Sequence, residues 1–337
     1  MKLVVYGPDR RVGVLQDGQI IDANGAYAKF AREVNEDPLP ALMAAAVVPA
    51  NLQEYIESGF RAIDGTKQAL EYLVRADSNL GLRGESLVYA RDAVKIHAPL
   101  PSRGARLAMA GGNFSDHILG MYRRRNPDLT LEQAIKDARD NGIWGFWKIA
   151  QNVIGPDEDV IYPKRTQRLD YEGEVTIILG NQGRDVKADK VNDYIWGYTL
   201  MNDWSLRDQQ EAGNYKFVTA KNFDGSSSLG PCIVVDEITD CQNVDFETTV
   251  NGDLRQRGNT KDMIFSFGEF LEYLTRDNTF LPGDMIAAGT CAGTAADSSE
   301  RAESGALKPD RFAKPGDVVE ITVPQIGTLR NRVVDPV

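Results

Sequence analysis

Alternating apolar and polar positions predict strands over residues 2–6 and 12–15, with a return through 19–21 after Gln16-Asp17-Gly18. An Asp-Gly pair between two such runs is a hairpin signal. Helical spacing follows over 26–34 and 52–75, the second interrupted by Gly59 and Gly65. Residues 98–104, Ala-Pro-Leu-Pro-Ser-Arg-Gly, form a short stiff linker. The expected organisation is a small α+β domain over 1–95 and a larger domain over 96–337. In the larger part, Thr130 and Gln133 spell a capping box, with Leu131, Ala134, Ile135 and Ala138 as the apolar stripe and Asn141-Gly142 as the stop. Strands are expected at 172–179, 195–202, 232–235 and 248–250. A second capped helix is expected from Ser266 and Glu269 to about Thr275. Two Pro-Gly-Asp turns, at Pro282 and Pro315, feed strands at 285–288 and 318–323. Strands and turns without a strand–helix alternation indicate an α+β, mostly β fold.

The 337 residues carry a formal net charge of −11, which argues against nucleic acid and anionic membranes as general partners. The run Arg123-Arg124-Arg125 reads as a solvated loop or a rim that attracts anions. No apolar stretch approaches the roughly 20 residues needed to span a bilayer, and residues 2–8 lack a secretory pattern, so the cytoplasm is the expected compartment. Cys232, Cys241 and Cys291 lack metal-type spacing and read as reduced thiols. With only two histidines, a zinc site of the His/Cys kind is nearly excluded, and any metal must be held by oxygen.

The candidate oxygen ligands are then few. Glu172 and Glu174 flank Gly173 on an expected strand, so both side chains point to one face and repel unless a cation compensates. Gly173 would let another group approach closely. Asp203 ends a strand that is apolar on both faces, where an unpaired carboxylate is costly. Three carboxylates suit Mg²⁺, Mn²⁺ or Ca²⁺. Arg207 and Gln210 are three apart, on one side of a helical turn, and Arg suits a carboxylate ligand; without context, a surface Arg in a salt bridge is the commoner outcome. Lys221 precedes Asn222-Phe223-Asp224. His117 follows Gly111-Gly112 on a Gly-rich turn, a place where mobile catalytic groups often sit, while His97 reads as structural.

In order along the chain stand Asp170-Tyr171-Glu172-Gly173-Glu174, Asn202-Asp203-Trp204-Ser205-Leu206-Arg207-Asp208, Lys221-Asn222-Phe223-Asp224, Asn251-Gly252 and Gly289-Thr290-Cys291-Ala292-Gly293. With Gly327-Thr328-Leu329-Arg330-Asn331, they resemble the fumarylacetoacetate hydrolase family over about residues 100 to 334. The resemblance implies a mixed β-sandwich roll, usually a homodimer, behind a small N-terminal domain. It implies Mg²⁺ or Mn²⁺ on Glu172, Glu174 and Asp203. Arg207, Gln210, Lys221 and Thr290 would contact oxygens of a small anionic dicarbonyl substrate, Lys148 would be a further pocket lysine, and His117 the base. Ala110 stands where fumarylacetoacetase itself has a fourth metal carboxylate. Gly120 stands where compact members carry a glutamate that orients the histidine, so the partner of His117 is Glu300, Glu303 or absent. The expected activity is C–C bond hydrolysis of a β-diketo acid or acylpyruvate through an enolate, with Lys221 and Gln210 stabilising its charge. The alternative is decarboxylase, isomerase, hydratase or lyase chemistry on a 2-oxo acid; a non-enzymatic binding protein is the remaining reading. Residues 118–147, with Trp144-Gly145-Phe146-Trp147, are either a lid over the site or a surface helix.

Overall fold

The computed structural model describes residues 1–123, 126, 128–209, 214–300, 302, 305 and 307–336. The leading segment runs β1 (Lys2–Tyr6), β2 (Arg11–Gln16), β3 (Gln19–Asp22), α1 (Ala23–Glu33), α2 (Pro40–Val47), α3 (Leu52–Glu57), α4 (Phe60–Leu73), β4 (Val88–Ala90) and β5 (Ile96–His97). The hairpin forms as expected: Asp17 and Gly18 both take positive φ, 50° and 74°, and Gln16 pairs with Gln19. The helix expected over 52–75 is two helices, because Gly59 turns the chain at φ +59°. Gly65 stays inside α4, where an added Cβ would lie 2.9 Å from Val48 at the end of α2. Helix α2 was not expected, since its uniform Leu-Met-Ala-Ala-Ala-Val run shows no apolar stripe.

The chain continues through β6 (Leu107–Ala110), α5 (Ser115–Arg123), α6 (Leu131–Asn141), β7 (Gly145–Lys148), β8 (Val153–Ile154), β9 (Val160–Ile161), β10 (Leu169–Asp170), β11 (Gly173–Leu179), β12 (Ile195–Asp203) and β13 (Ser205–Leu206). There follow α7 (Asn214–Lys221), β14 (Ser227–Val234), β15 (Asp245–Val250), β16 (Asp253–Asn259), α8 (Phe267–Thr275), β17 (Met285–Ala287), α9 (Ala295–Ser298), β18 (Val318–Val323) and β19 (Gly327–Val334). Both capping boxes form, at Thr130 with Gln133 and at Ser266 with Glu269.

A mixed sheet of twelve strands carries the path β4-β3-β2-β1-β14-β12-β11-β17-β6-β7, and a second sheet runs β16-β15-β18-β19-β9. The N-terminal strands continue the large sheet: Lys2 of β1 lies opposite Val234 of β14. On one face of that sheet, Tyr55, Ile56 and Ile63 from α3 and α4 pack with Ile178, Trp196 and Ile233. On the other, Phe246, Ile321 and Leu329 of the second sheet meet Val175, Ile177 and Leu200. Strands β11 and β12 are thus buried on both faces, which explains their unbroken apolar runs. The architecture is the expected α+β sandwich, an open pair of mixed sheets rather than a barrel. Among the described residues no helix is long and apolar enough to cross a membrane. The three cysteines are free and buried.

Candidate active site

Where β11 begins and β12 ends, three buried carboxylates converge. Glu172 precedes β11, Glu174 is its second residue, and Asp203 is the last residue of β12. One carboxylate oxygen from each lies within 4.8 Å of the others. The backbone fixes them: Asp203 N donates to Glu172 O at 2.9 Å, and Glu172 N donates to the Asn202 side chain at 2.9 Å. Gly173 is required for a reason the strand pattern only half indicates. A Cβ there would come within 2.2 Å of the Thr248 hydroxyl, so the close neighbour is a side chain of the second sheet.

Basic groups surround the cluster. Lys221, the last residue of α7, donates to Glu172 Oε2 at 2.5 Å, Asp203 Oδ2 at 2.7 Å and Ser205 Oγ at 2.6 Å. Arg207 donates through Nε to Asp170 Oδ2 at 2.7 Å and through Nη2 to Glu172 Oε1. Lys148 is buried behind Asp203, bonded to its Oδ1 at 2.6 Å and to Ser226 O at 2.7 Å. The structure therefore places Lys148 against the Asp203 carboxylate, and it is not among the residues that line the cleft. Burial opposes ionisation of Glu172, yet Arg207 and Lys221 outweigh it and hold its carboxyl well below the usual range. Glu174 is different. Burial, then the charges of Asp203 and Glu172, push it well above the usual range, against a smaller opposing effect of the Lys221 charge; it accepts one backbone N–H, from Gly289 at 3.1 Å, and forms no ion pair among the described residues. An under-compensated carboxylate beside two others suits a divalent cation, so the residues present fit the metal the fold implies.

His117 sits in the first turn of α5, not on the Gly-rich turn, which ends before Ser115. Its Nδ1 meets Asp297 Oδ2 at 2.7 Å. The orienting acid at Nδ1 is thus Asp297 of α9. Glu300 pairs instead with Lys308 at 2.7 Å, and Glu303 lies outside the described residues. Space explains the substitution: an added Cβ on Gly120 would lie 3.7 Å from Asp297 Oδ1, so Asp297 occupies the region a side chain at 120 would enter. Burial disfavours the imidazolium, but the Asp297 charge and hydrogen bond prevail and raise the His117 pKa above its ordinary value. The legible signal for Asp297 was Thr294-x-x-Asp297, a short cap in which the Thr294 hydroxyl accepts from Asp297 N at 3.2 Å.

A cleft of about 70 Å³ lies over the carboxylates, with His117, Arg207, Lys221 and Thr290 on its walls. The Thr290 hydroxyl is already used internally, donating to Gly173 O at 3.0 Å and accepting from Gln256 Nε2 at 2.7 Å. Gln210 lies outside the described residues. Ala110 lines the cleft and brings no fourth carboxylate. Aromatic rings close the rest: Phe146 stands edge-on to Phe217 at 5.3 Å, Trp144 lies 6.2 Å from Phe217, and the Lys221 ammonium is 4.9 Å from the Phe146 ring centre. Trp144 packs where a Cβ on Gly111 would collide with its indole at 2.6 Å, which gives that glycine its purpose. Phe217 was not foreseen. Of the segment 118–147, the aromatics Trp144 and Phe146 reach the cleft, while α6 packs through Ala134 with Ile118, Leu129 and Ile264, and Arg139 bonds Glu269 at 3.0 Å. That packing is of a helix held on its own chain. Arg124 and Arg125 of the basic run lie outside the described residues.

A two-sheet sandwich thus holds a buried acidic triad and a His–Asp pair at one cleft. The fumarylacetoacetate (FAA) hydrolase C-terminal family pattern matches residues 107–334, and the chain belongs to that family. It is 30% identical over 322 residues to an oxaloacetate tautomerase of Bacillus subtilis, covering 95% of this chain and 94% of that one. A mitochondrial oxaloacetate tautomerase of Xenopus laevis is 30% identical over 342 residues, 99% of this chain and 90% of its own. Among solved structures, a fumarylacetoacetate hydrolase from Exiguobacterium antarcticum superposes with a TM-score of 0.68 at 28% identity, covering 99% of each chain.

Proposed function

We propose that the protein catalyses keto–enol tautomerisation of a compact 2-oxo dicarboxylate of the oxaloacetate kind. The cleft carries this reading: at about 70 Å³ it is far smaller than the roughly 300–1,000 Å³ of most ligand pockets, which favours a compact substrate over an extended acylpyruvate. The full-length relatives of Bacillus subtilis and Xenopus laevis named for that activity support it. Tautomerisation needs one proton carrier and no attacking water. Asp297 fixes Nδ1 of His117, leaving Nε2 to take a proton from the substrate carbon next to the carbonyl and to return one at oxygen. Lys221 and Arg207 give the cleft positive charge for the substrate carboxylates and the developing oxyanion. A divalent cation held by Glu172, Glu174 and Asp203 would polarise substrate oxygens. Aromatic walls exclude bulk water and strengthen these electrostatics.

C–C bond hydrolysis remains the second reading, supported by the similarity to the Exiguobacterium antarcticum hydrolase and by a His–Asp pair that can equally take a proton from water. The deciding experiment follows the enol of oxaloacetate by ultraviolet absorbance with Mg²⁺- or Mn²⁺-loaded protein, beside product masses from acylpyruvates. Accelerated relaxation of the keto–enol ratio supports tautomerisation. No acceleration over buffer, with acylpyruvates cleaved by addition of one water, would replace it with hydrolysis.

A further inference from the structure

Asp170 lies in β10, fully buried, two residues before Glu172. Its Oδ1 accepts from Ala295 N at 2.7 Å, and its Oδ2 accepts from Ala296 N at 3.1 Å and from Arg207 Nε at 2.7 Å. These donors lead to both halves of the site. Arg207 continues to Glu172, while Ala295 and Ala296 precede Asp297, the residue bonded to His117. The four-residue α9 is too short to set its own geometry, because one helical turn is not stable alone. It is fixed from outside by the Thr294 cap, by packing of Ala295 and Ala296 beside Leu169 and Tyr171, and by Asp170.

We propose that Asp170 is a positioning residue for proton transfer: one carboxylate that holds Asp297 against His117 and Arg207 against Glu172, so that the base and the acidic cluster keep a common register. This rests on His117 as the proton carrier of the proposed tautomerase. Catalytic geometry is intolerant of displacements near 1 Å, so loosening α9 acts on turnover rather than on substrate binding. Asparagine cannot replace Asp170, since its amide nitrogen would face an N–H where an acceptor is needed.

Two substitutions test the links. Asp170→Asn disturbs both by exchanging an acceptor for a donor. Ala295→Pro removes the Ala295 N–H and sets the ring Cδ against Asp170 Oδ1, so it parts the carboxylate from α9; the position is the first of α9, where proline is tolerated, and Thr294 before it already has the φ −57° and ψ 161° that proline demands. With only two histidines in the chain, the imidazole resonances of metal-free ¹⁵N-histidine-labelled protein are assigned by difference from His117→Ala. The Nδ1–H signal of His117, sharpened and moved downfield by Asp297 in the wild type, should broaden or shift upfield in both variants. With substrate, kcat should fall about 10–100-fold, as for other residues that orient an active group, with KM little changed. Mn²⁺ affinity should weaken in both variants, since each disturbs the carboxylate that holds Arg207 against Glu172. The imidazole signal needs no substrate, so it decides the matter even if oxaloacetate is not tautomerised. A wild-type imidazole signal and wild-type kcat in folded Ala295→Pro would overturn the proposal, whether or not Asp170→Asn folds.

Discussion

Replacing Glu174 by Gln tests the acidic cluster where it is least compensated. The side chain is 2% exposed, and burial followed by Asp203 and Glu172 raises its pKa well above the ordinary value. The sign follows from linkage. A carboxyl with a folded value above its unfolded one contributes stability that is fully present below the unfolded value, near 4.5, and is lost as pH rises through the folded value. Between those two values one such group removes at most about 1.4 kcal/mol per pH unit. An unfolding entropy of roughly 2.1 cal/mol/K per residue over 337 residues is about 0.7 kcal/mol/K, so the slope amounts to about 2 °C in Tm per pH unit. Glutamine stays neutral and still accepts from Gly289 N. In scanning calorimetry with chelator, wild-type Tm should therefore decline more steeply above about pH 5 than that of Glu174→Gln, by up to that amount. Added Mn²⁺ at a hundred times its Kd should raise wild-type Tm by about 4 °C, from roughly 2.7 kcal/mol of binding linkage, and should raise that of the variant much less. Parallel pH profiles, together with equal Mn²⁺ shifts, would refute both the charge crowding and the ligand role.

Three further outcomes follow from the same geometry. Asp297→Asn should lower the His117 pKa, because the charge that raises it is gone; the acid limb of the kcat/KM profile for proton abstraction should then move to lower pH, and an unmoved limb would remove His117 from that role. Arg207→Ala should weaken Mn²⁺ binding in isothermal titration as well as raise KM, since Arg207 orients Glu172; unchanged metal affinity with raised KM would make it a substrate ligand alone. Trp144→Ala, at a side chain 48% exposed, should spare the fold and open the cleft, raising kcat/KM for a five-carbon over a four-carbon 2-oxo diacid roughly tenfold, at about 1–3 kcal/mol per methylene group; an unchanged ratio would show that the aromatic wall does not select length.

The acidic triad was legible because strand alternation places Glu172 and Glu174 on one face, and because a buried strand end makes Asp203 conspicuous. The hairpin at Asp17-Gly18 and both capping boxes were legible for a similar reason: each is decided by residues within four positions of one another. What was not legible depends on contacts between distant segments. Asp297 reaches His117 across 180 positions; its Thr294 cap marked a helix start and Gly120 a missing acid, but nothing local joined the two. Lys148 carries the right charge at the right end of β7, yet register with β6 turns it behind Asp203. Phe217 stands on α7, whose apolar and polar residues are not sorted by face, so nothing in its spacing marks the ring that closes the cleft.

The pairing of β1 with β14 bears on how the chain is made as well as on how it stands. Lys2 and Val234 are neighbours separated by 232 positions, and at about 5–20 residues per second a ribosome needs roughly 10–50 s to supply the second after the first. During that interval β1 has only partners made earlier, β2 through the register Leu3↔Val14 and Val5↔Val12, then β5 through Val5↔His97 and Tyr6↔Ile96. The part of its edge left for β14 is the end at Lys2 and Leu3. An edge open for that long is a site of mispairing, so slowed translation or a destabilised β14 should show first as aggregation at this seam.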